Sequence, residues 1–202
     1  MIDLLNLFDL SILYFFNRDL ANPALDIFFV TIAESKIFLS LCLVAVAVLF
    51  WRGSAKLRLA IVLSLVCIAL LDPFSHYVLK PLFARPRPCH VLSDLHMLVG
   101  CGGKYGFPSN HTVNAFGAAT ILCIFFRRQI AIWVSIAFVI GISRIYLGRH
   151  YPSDVLGGAL IGIIMALIIF RLLFITTRHL KRNKFIGKYS SIMEEAWLWK
   201  RK

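Results

Sequence analysis

Five stretches of the chain are almost free of charged residues, and their pattern favours membrane-spanning helices. They cover residues 37–51, 59–71, 112–126, 129–142 and 155–170. Each stretch is slightly shorter than the roughly 20 residues that cross a bilayer, so flanking polar residues are expected at the helix ends. Buried helices of a soluble all-α protein fit poorly, because the runs have almost no polar face. The pattern therefore predicts an all-α integral membrane helical bundle.

The first 35 residues follow a different pattern. Apolar residues 2–16 are interrupted by Asp3, Asn6 and Asp9, which indicates an amphipathic helix that lies on the membrane surface. Asn22 and Pro23 then begin another helix, which we expect to run continuously into the apolar stretch from residue 37. This interpretation gives five transmembrane helices, and one further crossing within the first 35 residues would give six.

Composition and charge agree with a membrane protein and suggest its orientation. Of the 202 residues, 59% are apolar, the mean hydropathy is +0.80 and the formal net charge is +12. Basic residues collect on one side of the predicted bundle: Arg52, Lys56, Arg58, Arg127, Arg128 and the C-terminal segment. By the positive-inside rule this side is cytoplasmic, and the loops at residues 80–111 and 144–153 face outward.

The C-terminal segment is a basic stretch with interleaved aromatic residues. Residues 177–202 contain eight lysines and arginines. Binding to anionic lipid explains such a segment beside a membrane span more simply than binding to nucleic acid. We therefore divide the chain into a membrane domain, residues 1–176, and a basic cytoplasmic tail, residues 177–202.

Three cations lie on the outward side, two in the loop after the stretch at residues 59–71 and one after the stretch at residues 129–142. They are Lys80, Arg87 and Arg144, and prolines stiffen the backbone around the first two. Cations beside hydrocarbon persist where they find an anion or line a polar cavity. A phosphate group fits, because a guanidinium donates two hydrogen bonds to two phosphate oxygens. Ser109 and the amides that open the following helix add further donors.

Two histidines add what phosphate binding alone does not require. His150 precedes Pro152, which favours a helix start, so Asp154 falls in the first turn and one turn from His150. Asp154 then accepts a proton from one imidazole nitrogen and leaves the other free as a nucleophile or general base. His111, from another helix, is placed to protonate a leaving oxygen. A zinc site is the rival interpretation of these ligand types, but three nearby cations oppose a divalent ion.

Other residues of the outward loops are assigned no part in this chemistry. Arg85 and Arg149 fit ordinary long side chains that reach the membrane interface. Cys89 and Cys101 are candidates for a disulfide that closes the loop in an oxidising compartment, although sequence spacing alone does not show that the two thiols meet.

The motif residues, taken together, match the signature of a known family. Lys80 with Arg87-Pro88, then Pro108-Ser109-Asn110-His111, then Ser143-Arg144 with His150 and Asp154 resemble the three-part signature of the type 2 phosphatidic acid phosphatase (PAP2) superfamily. The resemblance covers residues 80–154 and leaves residues 1–35 and the tail outside it. It implies a PAP2-like helical core and a phosphatase that needs no metal or other cofactor.

The resemblance also implies a role for each motif residue. His150 would attack phosphorus and form a phosphohistidine, Asp154 would orient His150, and His111 would protonate the leaving oxygen. The phosphate oxygens would be held by Lys80, Arg87, Ser109 and Arg144. Asn110 stands where glycine is usual in the family, and if that glycine offers its amide from a left-handed conformation, asparagine is the residue that best tolerates the same geometry.

An outward site at the membrane surface suits a lipid whose phosphate lies at the interface. Among substrates of similar small bacterial enzymes, undecaprenyl pyrophosphate is expected first and lipid A 1-phosphate second, followed by phosphatidylglycerol phosphate and phosphatidic acid. A lipid phosphotransferase stays open as an alternative, because related enzymes pass the phosphoryl group to another lipid. A non-catalytic lipid-phosphate-binding protein is the alternative of a different class, but binding alone would not need an oriented histidine.

Overall fold

Every regular element in the described part of the chain, residues 2–180 and 184–198 of a computed structural model, is helical. The all-α prediction is thereby confirmed. The helices are α1 (Ile2–Tyr14), α2 (Pro23–Glu34), α3 (Lys36–Arg52), α4 (Ala55–Phe74), α5 (Lys80–Phe83), α6 (Pro88–Val91), α7 (Asn110–Phe125), α8 (Ile130–Tyr146), α9 (Pro152–His179) and α10 (Lys184–Leu198). A π-helical turn, Phe15–Asp19, extends α1, another, Ser75–Leu79, joins α4 to α5, and a 3₁₀ turn, Arg127–Gln129, precedes α8.

Three of the described helical segments are long and apolar enough to cross a membrane. They are Ala55–Phe83, Arg127–Tyr146 and Pro152–His179. The pair α2 and α3 passes the same test only as a single span that is bent by 57°. Helix α7 has 16 residues, fewer than the roughly 20 that a perpendicular span needs. The number of spans, five or six, therefore stays a prediction.

The continuous helix that the sequence predicts from Pro23 through residue 37 is broken at Ser35. The backbone of Ser35 is extended, with φ −71° and ψ 115°, and its hydroxyl accepts a hydrogen bond from the amide of Phe38 at 3.2 Å. A serine that caps the next helix in this way ends the previous one. The start at Pro23 is as predicted, with the Asn22 side chain as its N-cap.

Helix α1 buries one carboxylate against the protein. Leu7 is 61% exposed and its neighbour Asn6 is exposed too, whereas Asp9 is buried. In the following π turn, Asn17 is also buried and donates hydrogen bonds to the carbonyl groups of His96 and Tyr146 at 3.0 and 2.7 Å. This segment is thus attached to the protein through two buried polar side chains, and its place on the membrane surface stays a prediction.

Helices α4, α7 and α9 form the main core, and two glycines of α9 let α7 approach closely. A Cβ atom added at Gly162 would lie 2.4 Å from the carbonyl oxygen of Val113, and one added at Gly158 would lie 3.0 Å from that of Ser109. Small residues at such positions allow helix backbones to pack side by side in a membrane. This contact brings the start of α7 against the start of α9, where two of the three motif segments lie.

Helix α10 folds back onto the opposite end of the bundle. Met193 and Ala196 are buried in the main core, and the ring of Trp197 stacks on Phe170 with centroids 5.6 Å apart. The predicted tail therefore begins within α9, which continues to His179, and part of it packs against the membrane domain. Residues 181–183 and 199–202 of that tail lie outside the described residues.

Candidate active site

The start of α9 places His150 and Asp154 side by side. Pro152 is the first residue of α9, as the sequence predicts, so Asp154 lies in its first turn. One carboxylate oxygen of Asp154, Oδ2, accepts a hydrogen bond from the amide of Tyr151 at 3.0 Å and lies 3.5 Å from Nδ1 of His150. Both side chains are almost fully buried. The pair is thus held by the helix start itself, with the imidazole slightly beyond hydrogen-bonding distance.

The buried position of His150 favours its neutral form. Burial lowers the pKa of His150 to about 4, although the nearby carboxylate of Asp154 acts in the opposite direction. An imidazole with this pKa is uncharged at neutral pH and keeps a lone pair on the nitrogen that points away from Asp154. A neutral, oriented imidazole is the form that attacks phosphorus or accepts a proton.

Two arginines within electrostatic range of His111 each have one buried nitrogen atom without a partner in the described part of the chain. Arg144 is only 2% exposed, and its Nη1 has no hydrogen-bond partner among the described residues, while its Nε donates to Ser143 at 3.0 Å. Arg149 forms an ion pair with Glu34, yet its buried Nε also lacks a partner within the described chain. Buried polar groups are normally paired, so these donors mark a place that can accept an anionic group.

Lys80 and Arg87 hold the covering loop, residues 84–108, which lies beside the site. The Nζ of Lys80 donates to the carbonyl oxygens of Tyr105, Gly106 and Pro108 at 3.1, 3.2 and 2.9 Å. Arg87 donates from Nη1 to the carbonyl oxygen of Cys101 at 3.0 Å and from Nε to that of Tyr105 at 3.3 Å. Both cations therefore build the loop in this structure. Their predicted contact with phosphate stays a prediction.

A disulfide closes the same loop. It joins Cys89 to Cys101, whose Cα atoms are 5.8 Å apart. The disulfide fixes the backbone carbonyl of Cys101, which accepts a hydrogen bond from Arg87, so it contributes to the position of this cation. Burial lowers the pKa of the Arg87 guanidinium, and the nearby charge of Arg149 lowers it further.

The start of α7 brings Ser109 and His111 to the site. Ser109 is the N-cap residue of α7 and is fully buried, and its amide donates to the carbonyl oxygen of Asp154 at 3.2 Å. His111 is partly exposed as a residue, but burial, together with the nearby Arg144 and His150, lowers the pKa of its imidazole to about 3. Before an anion binds, His111 is therefore neutral. The structure thus assembles the predicted histidines, Asp154, Ser109 and Arg144 at one end of the bundle.

The left-handed conformation considered for Asn110 is not found. Asn110 is the first residue of α7, and Ala84 is the one described residue other than glycine with a positive φ. The side chain of Asn110 turns toward the end of α4. Its Oδ1 accepts a hydrogen bond at 2.8 Å from Ser75, in the π turn after α4, and its Nδ2 donates to Asp72 at 3.2 Å. Asparagine adopts this helical conformation without strain. Because its side chain is already paired, its backbone amide at the helix start is the group that can bind an anion.

The interpretation of Arg85 as an ordinary interfacial residue is wrong. Its guanidinium donates to Asp154 at 2.8 Å and to Asp9 at 2.6 Å. Arg149, interpreted in the same way, pairs with Glu34 beside the site. No sequence signal connects these partners, because Asp9 and Arg85 are 76 residues apart. Among the described residues, no group of three histidine, cysteine, aspartate or glutamate side chains is arranged to hold a metal ion.

Comparison with known proteins identifies the family. The model of the PAP2 superfamily matches residues 59–178, which is more than half of the chain. The chain belongs to the PAP2 superfamily. As a PAP2 protein it is a membrane phosphatase, a hydrolase that acts on lipid phosphates. The sequence resemblance is thereby confirmed, and the match extends well beyond residues 80–154.

Relatives of this PAP2 protein have several names. It is 34% identical over 170 residues to the lipid A 4′-phosphatase of Bacteroides thetaiotaomicron, and the alignment covers 80% of this chain and 75% of that protein. It is 37% identical over 98 residues to the undecaprenyl-diphosphatase BcrC of Bacillus subtilis, and this alignment covers 48% of this chain and 49% of that protein. Among solved structures, Aquifex aeolicus LpxE aligns with a TM-score of 0.59 and 35% identity over 81% of this chain and 94% of its own.

Proposed function

We propose that the protein removes a phosphate from a membrane lipid through a phosphohistidine on His150. The observation that carries this proposal is the buried, neutral His150 beside Asp154, at the end of the bundle where buried nitrogen atoms of Arg144 and Arg149 have no partner among the described residues. Because Nδ1 of His150 faces Asp154, Nε2 is the attacking atom. A bond from Nε2 to phosphorus forms as the bond from phosphorus to the lipid oxygen breaks. His111, which the negative charge of the bound phosphate keeps protonated, gives that oxygen a proton.

Water completes the reaction in a second step. His111, now without its proton, accepts one from a water molecule, and the resulting hydroxide attacks the phosphorus of phosphohistidine. The bond between nitrogen and phosphorus breaks, and inorganic phosphate leaves with His150 restored. Asp154 stabilises the positive charge that His150 carries in the intermediate, because its carboxylate lies 3.5 Å from Nδ1.

The fixed positive charges stabilise the negative charge that develops on the phosphoryl oxygens. We assign Arg144 and Arg87 as direct donors to these oxygens, together with Ser109 and the amides of Asn110 and His111 at the start of α7. Lys80 contributes its charge, while its hydrogen bonds hold the covering loop. Catalysis by such positioned donors needs no metal ion for charge neutralisation.

We propose a phosphate ester of lipid A as the substrate. The motif alone placed undecaprenyl pyrophosphate first, but this chain aligns over 80% of its length with the Bacteroides thetaiotaomicron protein that is named a lipid A 4′-phosphatase. The match to the Bacillus subtilis undecaprenyl-diphosphatase covers 48% of the chain. That match keeps undecaprenyl pyrophosphate as the second candidate.

The substrate is tested by phosphate release from a panel of lipids. Purified protein in detergent, with a chelator present, is offered lipid A, undecaprenyl pyrophosphate, phosphatidylglycerol phosphate and phosphatidic acid. We expect kcat/KM for lipid A to exceed that for each other lipid by about tenfold or more, which is about 1.4 kcal/mol of selective binding in the transition state. Preference for undecaprenyl pyrophosphate would contradict the lipid A assignment. Loss of substrate without free phosphate would instead indicate a phosphotransferase, and binding without turnover a lipid-binding protein.

We further propose that the protein lies in the bacterial inner membrane, with the active site facing outward and the C-terminus cytoplasmic. The excess of lysine and arginine on the opposite side supports this orientation, and the disulfide beside the site fits an oxidising compartment. In intact cells we expect a membrane-impermeant maleimide to label a Ser93→Cys variant, since Ser93 is exposed on the covering loop. Labelling that requires a permeabilised inner membrane would contradict this orientation.

A further inference from the structure

Helix α1 carries a fully buried carboxylate to the start of α9. Asp9 is 1% exposed, although apolar neighbours on the same helix face outward. Its Oδ1 accepts a hydrogen bond from the amide of Ser153 at 2.8 Å. Its Oδ2 accepts from the hydroxyl of Ser153 at 2.5 Å and from Arg85 at 2.6 Å. Both oxygens of a carboxylate in the N-terminal helix are therefore used at the first turn of the helix that carries Asp154.

Arg85 connects this carboxylate to Asp154. One guanidinium nitrogen, Nη2, donates to Asp9, and the other, Nη1, donates to Oδ1 of Asp154 at 2.8 Å and to the hydroxyl of Ser153 at 2.5 Å. The guanidinium also stacks over the ring of Tyr151, 4.4 Å from its centroid. Burial alone would lower the pKa of Arg85, but the charges and hydrogen bonds of Asp154 and Asp9 outweigh it and raise the pKa. One cation is thus shared between two carboxylates from different helices.

This arrangement fixes the direction in which Asp154 points. Arg85 occupies Oδ1, so Oδ2 is the oxygen that receives the Tyr151 amide and faces His150. If Arg85 moved, Oδ1 would lose its guanidinium donor, and the Tyr151 amide alone would hold the carboxylate toward the imidazole. The planar guanidinium is in turn held by Asp9 on its other side, which leaves it little freedom of its own.

We propose that Asp9 is a positioning residue that acts through Arg85 and Ser153 to hold Asp154 toward His150. The N-terminal helix, which lies outside the residues that match the family model, is then part of the catalytic apparatus. This inference rests on the proposed reaction for its effect on rate, but the positioning itself can be measured without substrate. Asp9 touches no reacting atom, so its removal affects kcat more than KM.

The kinetic test is Asp9→Asn, which removes the charge and preserves the shape of the side chain. We expect kcat to fall by about 30-fold, because a misdirected catalytic group typically costs between tenfold and a hundredfold, while KM changes by less than about threefold. Asp19→Asn is the matched control, with the same charge change at an exposed residue of the same segment, and is expected to retain wild-type kcat. An unchanged kcat in Asp9→Asn would overturn the proposal.

A double-mutant cycle tests whether Asp9 acts through Arg85. If it does, the loss of kcat in Asp9→Asn combined with Arg85→Gln stays within about threefold of the loss in Arg85→Gln alone. Multiplication of the two single losses would show that Asp9 acts independently. Ser153→Ala is the second variant if Asp9→Asn is not recovered folded. It removes the hydroxyl that donates to Asp9 and accepts from Arg85, and it leaves every charge in place. We expect this variant to lose about fivefold in kcat, and wild-type kcat would contradict the proposal.

Hydrogen exchange separates the positioning from the proposed reaction. Loss of the Asp9 hydrogen bonds is expected to raise amide exchange in residues 150–156 by about tenfold in Asp9→Asn, and not in Asp19→Asn. Exchange in the core of α7 is expected to stay unchanged, which excludes global unfolding. Wild-type exchange in residues 150–156 of Asp9→Asn would overturn the positioning. If the wild type hydrolyses no lipid while exchange rises as expected, the proposed reaction fails and the positioning stands.

Discussion

The His150→Ala variant is expected to release phosphate from the lipid substrate at least roughly 10⁴-fold more slowly than the wild type. The reason is that no other described group pairs a buried, neutral imidazole with a carboxylate, so no residue can take over as nucleophile. The measurement is phosphate release in single-turnover reactions. Lipid binding, measured separately, should persist because Arg144 and Arg87 are unchanged.

A suitable control for this variant is His90→Ala. His90 lies on the same covering loop, its side chain is exposed, and the hydrogen bond that it donates to Arg87 comes from its backbone amide. Full activity is expected in the control. With radiolabelled substrate, the wild type should also form a phosphoenzyme that is stable to base and labile to acid, as phosphohistidine is. Label on another residue, or turnover retained by His150→Ala, would contradict the mechanism.

The Arg144→Met variant is expected to lose activity and gain stability at the same time. Arg144 is almost fully buried, and its Nη1 has no partner among the described residues. A buried charge with incomplete pairing costs several kcal/mol, and replacement by an apolar side chain of similar volume often stabilises a protein by about 1–4 kcal/mol. Removal of a cation that stabilises the transition state should lower kcat/KM by roughly 10²–10³-fold.

Thermal unfolding in detergent and phosphate release together test this pair of effects. Arg128→Met, in the exposed 3₁₀ turn before α8 and away from the site, is expected to change neither quantity. Orthovanadate, a phosphate analogue, should raise the unfolding temperature of the wild type and have little effect on Arg144→Met. A variant that unfolds at lower temperature but keeps wild-type activity would show that Arg144 serves the fold and not the phosphate.

The part of the site that the sequence predicts is the part set by local rules. Pro152 determines where α9 begins, and the helical repeat then places Asp154 one turn from His150, so this pair follows from five consecutive residues. The positions of the helix cores likewise follow from their uncharged runs. Cap residues were less informative. Ser35 is not recognisable as an N-cap from the sequence, because the charged Glu34 and Lys36 on either side of it fit a continuous helix as well as a capped break.

Contacts between distant segments could not be predicted from the same rules. Arg85 has the sequence surroundings of an interfacial residue, and its role depends on two carboxylates that lie 76 and 69 residues away. For Asn110, the conformation depends on where α7 begins, and the partners of its side chain come from the end of α4 and the π turn that follows it. Periodicity predicts an amphipathic α1 but gives no sign that Asp9 is buried against the protein.

The buried position of Asp9 has a consequence for the order in which the protein is assembled during synthesis. Asp9 leaves the ribosome 144 residues before its partner Ser153. Until α9 has been inserted, the charge of Asp9 must stay in contact with water or lipid headgroups, because a lone carboxylate is not stable in the hydrocarbon layer. Helix α1 is therefore synthesised well before it can dock fully, and the active site is completed only when α1 meets α9.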